Sequence, residues 1–98
     1  MSAVHGPLAE SIVDSIRKSA ACHGVQAVRV FGSFSRGEET PQSDLDLLVR
    51  FEKGRGLRDL LDFCDEVEVA VGRRVDVVTE DGLSPFIRDK VLAEAVTL

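Results

Sequence analysis

Residues 44–51 read DLDLLVRF, with two carboxylates set two apart in a stretch otherwise rich in Leu and Val. Side chains alternate across a strand, so Leu45, Leu47 and Val49 share one face while Asp44, Asp46 and Leu48 share the other. Asp is depleted in strands, and two carboxylates on one face repel unless something cationic lies between them. Such a segment demands an apolar core on one side and a polar site on the other.

The flanking segments supply that core. From Pro7 to about Cys22 the apolar residues Leu8, Ile12, Ile16 and Ala20 recur every four positions with Val13 beside them, which predicts a helix. Pro7 suits its first position and Gly24 its stop, with Lys18 and His23 near the negative end of the dipole. VQAVRVF, 25–31, reads as a strand, and 57–71 as a second amphipathic helix. VDVVT, 75–79, is a short strand carrying a third embedded carboxylate, Asp76. Ser84-Pro85 reads as a cap and a first-turn proline for a last helix that turns Phe86, Ile87, Val91, Leu92 and Ala95 inward. The expected fold is α/β: a small mixed sheet with helices mainly on one side, in a single domain spanning 1–98.

Between the first two strands lies GSFSRGEETPQS, a glycine-bearing polar loop with one helical turn expected around Arg36 to Glu39. Glycine lets backbone approach a phosphate closely, and the N–H groups opening a short helix together with the Ser33 hydroxyl are anion donors. Neither a P-loop nor a dinucleotide fingerprint matches its spacing. Three converging carboxylates would suit Mg²⁺ or Mn²⁺, which prefer hard oxygen ligands. The plainer alternative makes Asp44 a turn cap, Asp46 a solvated residue and Asp76 an edge residue, and Gly-Ser alone is an ordinary turn.

The string GSFSRGEETPQSDLDLLV, with Gly32, Ser33, Arg36, Gly37, Ser43, Asp44 and Asp46, resembles the signature of the polymerase-beta-like nucleotidyltransferase superfamily. VDVVTEDGLSPFIRDKVLAEAV resembles the end of the minimal nucleotidyltransferase (MNT) domains of prokaryotes, with Asp76 where a third metal carboxylate is expected. The resemblance implies that Asp44, Asp46 and Asp76 bind Mg²⁺ and that Gly32 and Ser33 cradle the terminal phosphates of ATP. It implies that Arg36 adds charge near the phosphates or the acceptor, and that Ser43 orients the turn before the strand. Domains similar to this minimal type are commonly antitoxins paired with HEPN-domain ribonuclease toxins, and the resemblance implies a reaction that moves AMP from ATP onto a toxin tyrosine. Two other roles stay open: an antitoxin that works by masking its toxin, and a nucleotidyltransferase for RNA or small molecules aided by a separate domain.

Composition narrows the partners. Net charge is −5, which argues against direct DNA binding, since displacing counterions needs a basic stripe. No Trp and no Tyr leave little to stack on single strands. Without a basic n-region and h-region, or a long apolar run, the expectation is a cytoplasmic protein with no membrane association. Cys22 and Cys64 are expected as buried thiols, and His5 and His23 as structural or incidental residues rather than metal ligands. Arg73 and Arg74 are expected to favour a helix end or to face a partner, and homo-oligomerisation is left open.

Overall fold

Helical and two-residue periods alternate along the chain, and the computed structural model, which describes residues 8–98, follows them. In chain order come α1 (Glu10–Cys22), β1 (Val25–Phe31), α2 (Ser33–Arg36), β2 (Leu45–Phe51), α3 (Leu57–Val71), β3 (Val75–Thr79), α4 (Pro85–Glu94) and β4 (Val96–Thr97). The sheet order is β3-β2-β1-β4. β1 runs antiparallel to both β2 and β4, whereas β2 and β3 are parallel. The sheet is therefore mixed, and the parallel β2–β3 pair is joined by α3, the helical crossover that parallel strands need.

Leu45, Leu47 and Val49 are at most 1% exposed, so the face opposite the carboxylates is the core. They join Val13 and Ile16 of α1 and Phe63 and Val67 of α3 in one cluster. Alternation sends Leu48 to the other face, yet it too is buried; with Val91 of α4 it stands outside that cluster. α4 is tied to the strand ends by Arg88, which donates to the Glu80 carbonyl at 2.7 Å, and by Glu94, which accepts from the Gly32 N–H.

Several expectations change. Pro7 lies outside the described residues, and the described helix begins at Glu10. The helical turn expected around Arg36 to Glu39 instead spans Ser33–Arg36, because Gly32 and Gly37, both at positive φ, bound it. Phe86 and Ile87 point outward, 97% and 48% exposed, while Val91 alone of α4 is buried. The Ser84 cap is present, its hydroxyl accepting from the Phe86 N–H. β4, two residues long, has no periodicity to betray it. Cys22 is exposed, whereas Cys64 is half-buried with its thiol on the Val75 carbonyl; both are free.

A polar joint ties α1 to α3. The Ser19 hydroxyl donates to Glu66 at 2.6 Å, and His23 Nε2 lies 2.7 Å from its other oxygen. His23 is thus a structural partner of α3. The Ser19 bond first, then His23, hold the Glu66 carboxyl below its ordinary range. A group depressed on folding adds stability above its unfolded pKa and loses it as the pH falls through the folded one. Wild type is expected to melt above Glu66→Gln at neutral pH. That gap should narrow as the pH drops below the ordinary glutamate range, as thermal unfolding across a pH series would read; a gap constant with pH would refute the ionic character of the joint.

Candidate active site

The carboxylates meet because of strand register. Asp46 of β2 and Asp76 of β3 are direct partners in the parallel pair, so their side chains leave the sheet on the same face. Asp44 sits just ahead of β2 and is exposed, as is Asp76, whereas Asp46 is half-buried. Burial, followed by the charges of Asp76 and Asp44, pushes the Asp46 carboxyl above its usual range; Glu94 adds to this and Arg36 opposes it. Among the described residues the acids share a face without being drawn into a closed ligand cluster. Their chemistry nevertheless fits a hard divalent cation: the donors are oxygens, and the central carboxylate is disfavoured by its surroundings until positive charge arrives.

β1 brings the loop to the same place. Phe31, its last residue, pairs with Asp46, so Gly32 follows directly beside that carboxylate. Gly32 has φ 75 and ψ −149, a conformation essentially confined to glycine. A Cβ there would sit on Asp46 Oδ2, with Asp46 Cγ only 3.2 Å away. The missing side chain is what lets loop and acid share the space. Ser33 then opens α2, whose first N–H groups have no partner within the helix. Gly37, also left-handed at φ 72, closes it, and the Glu38 N–H bonds back to the Ser33 carbonyl.

Arg36 is at the end of α2, with its Nε 2.9 Å from Glu38 and its Nη1 3.0 Å from Glu94. Its pKa is raised, chiefly by the Glu38 hydrogen bond, with Glu94 adding to it. Ser43 spends its hydroxyl on the turn before β2, accepting from the Thr40 N–H at 2.8 Å, while its own N–H bonds to the Thr40 carbonyl. That turn is also held by Arg73, which donates to the Ser43 carbonyl at 2.8 Å and to the Thr40 carbonyl at 3.2 Å. The same guanidinium lies 4.8 Å from the ring centroid of Phe34 in α2. Arg73 thus joins the Gly-Ser turn, the approach to Asp44 and the entry to β3, a tertiary role in place of the expected helix-end one.

Sequence reasoning missed Glu94 and the joining role of Arg73. Both are charged residues on helix ends or exits, where spacing signals nothing. A cavity of about 600 Å³ at the carboxyl ends of β2 and β3, lined by Phe51, Leu57 and Thr79 among others, contains none of the three acids. Among the described residues no helix is long and apolar enough to cross a membrane.

Comparisons with known proteins agree with this architecture. The model of the nucleotidyltransferase domain family matches residues 10–98. The chain is 42% identical over 74 residues to a Methanocaldococcus jannaschii protein named among the protein adenylyltransferases, covering 76% of this chain and 80% of that one. It is 40% identical over 73 residues to protein adenylyltransferase MntA of Thermococcus cleftensis, covering 74% of each. A solved minimal nucleotidyltransferase superposes with a TM-score of 0.79 at 48% identity, covering 87% of both chains. The fold is shared too with a complex of tri-AMPylated Shewanella oneidensis HEPN toxin and MNT antitoxin, at a TM-score of 0.65, 18% identity and coverage of 88% of this chain and 67% of that one. With a family match over almost its whole length, the chain belongs to the nucleotidyltransferase domain family and is an enzyme of that class.

Proposed function

We propose that the chain transfers AMP from ATP to a hydroxyl, a tyrosine on a partner HEPN-type ribonuclease toxin, and so acts as its antitoxin. The observation that carries the reading is the Asp46–Asp76 register beside Gly32, which sets two strand-borne acids against a turn able to approach phosphate. The names of the relatives and the AMPylated toxin of the Shewanella oneidensis complex support the acceptor class.

In this reading Asp44, Asp46 and Asp76 hold Mg²⁺, which when bound supplies charge stabilisation at the triphosphate and at the transferring phosphoryl group. Ser33 binds the terminal phosphates, Gly32 with no side chain lets them come close to the backbone, and Arg36 sets positive charge beside them. Ser43, with its hydroxyl used in the turn, orients the approach to Asp44. Asp76, exposed on the same face, takes the proton of the acceptor hydroxyl at a carboxylate oxygen. The acceptor oxygen attacks the α-phosphorus, the bond to the β-phosphate oxygen breaks, and pyrophosphate departs with the electron pair.

The test incubates the chain with α-labelled ATP, Mg²⁺ and a HEPN protein encoded beside it, and locates label by mass spectrometry. Label on a tyrosine, abolished by Asp44→Asn with Asp46→Asn, is the expected result. Absence of transfer, or transfer untouched by the double substitution, would sink the proposal. Toxin neutralisation that survives the double substitution would favour masking by binding alone.

A further inference from the structure

The loop at the candidate site is held by a residue outside its motif. Glu94 is the last residue of α4, 62 positions from Gly32, and its side chain is 18% exposed. Its Oε2 accepts from the Gly32 N–H at 2.8 Å. Both of its oxygens also face Arg36 Nη1, at 3.2 and 3.0 Å.

We propose that Glu94 is a positioning residue for the nucleotide, fixing the Gly32 peptide and the Arg36 guanidinium together so that the turn between them is set before ATP arrives. Gly32 has no Cβ to restrict it and loses the most conformational freedom on being fixed, so an external bond at its N–H helps to hold its peptide plane. A carboxylate bonded to that N–H supplies one, and charged hydrogen bonds are the stronger kind. By also gripping Arg36, the same group spans the first and last residues of the turn 32–36. Glu38 binds the guanidinium through Nε and leaves Nη1 to Glu94, so the planar group is oriented from two sides. α4 thereby acts on the site without contributing a ligand. The inference rests on the nucleotidyl-transfer reading above.

The test titrates wild type, Glu94→Ala and Glu94→Gln with a fluorescent ATP analogue and Mg²⁺, follows the Gly32 amide by NMR, and checks folding by thermal unfolding. Glu94→Ala is expected to weaken the analogue roughly tenfold, the scale of one lost charge-assisted hydrogen bond, and to shift the Gly32 amide resonance. Glu94→Gln keeps an oxygen for the Gly32 N–H but loses the charge facing Arg36, so affinity should recover only in part, to about threefold below wild type. A folded Glu94→Ala with unchanged affinity overturns the inference alone. Tighter binding also overturns it, because the carboxylate would then be competing with phosphate. If Glu94→Ala does not fold, Glu94→Gln decides: a loss of about threefold supports the role, and wild-type affinity overturns it. Wild type that fails to bind the analogue overturns the nucleotide reading itself, a result distinct from any difference between variants.

Discussion

Replacing Asp46 by Asn is expected to lower AMP transfer by roughly a thousandfold while leaving the chain folded and, without Mg²⁺, more resistant to heat. The substitution keeps the size of the side chain and removes its charge. Asp46 is the central acid of the site, half-buried beside Asp76 and Asp44, and its carboxylate is disfavoured first by burial and then by theirs. A neutral amide relieves both penalties in the metal-free protein. On the proposed reading, the same change takes away a ligand of the bound cation and part of the field that stabilises the transferring group. Transfer assays together with melting curves taken without and with Mg²⁺ read both halves. A variant that loses activity and also melts lower without metal would show that Asp46 is structural. Opposite signs would identify an acid kept against the interest of the fold, as functional sites commonly are.

The second large effect falls on a residue without a side chain. Gly32→Ala is expected to cost about 1–3 kcal/mol of stability from backbone strain alone, and to reduce transfer by about a hundredfold. The loss of transfer follows from geometry: the new methyl would collide with Asp46 Oδ2, so acid and turn cannot both stay where they are. Gly72→Ala is the control. Gly72 also has a left-handed φ, 78, but it ends α3 with nothing within 4 Å of an added Cβ. It should lose stability by about 1–2 kcal/mol with transfer intact. If the two variants lose activity equally, the collision with Asp46 is irrelevant and only global stability matters.

Much of the fold was legible because local physics decided it. The boundaries of α3 and of β1 and β3 follow from apolar period and glycine stops, and these segments form as read. α4 was read less well. Its apolar residues do not form one stripe, so spacing does not tell its inner side, and Phe86 and Ile87 are exposed while only Val91 is buried. The bounds of α2 are not legible in the sequence because the turn residues that set them, Gly32 and Gly37, matter through their dihedral angles, which composition does not display.

For the site, the chain itself determined that Asp44 and Asp46 lie together and that a glycine-bearing turn precedes them, since neighbours in sequence stay neighbours in space. It also carried the family signature, a fixed spacing from Gly32 to Asp46. Tertiary structure alone decided that Asp76 faces Asp46, because parallel register is set by how α3 packs and not by any local preference. It alone brought Glu94 to Gly32 and Arg73 to the Ser43 turn, contacts whose partners are 62 and 30 residues apart. Side chains that act through others leave no periodic trace, since a charged residue at a helix end looks the same whether it faces water or holds a catalytic loop in place.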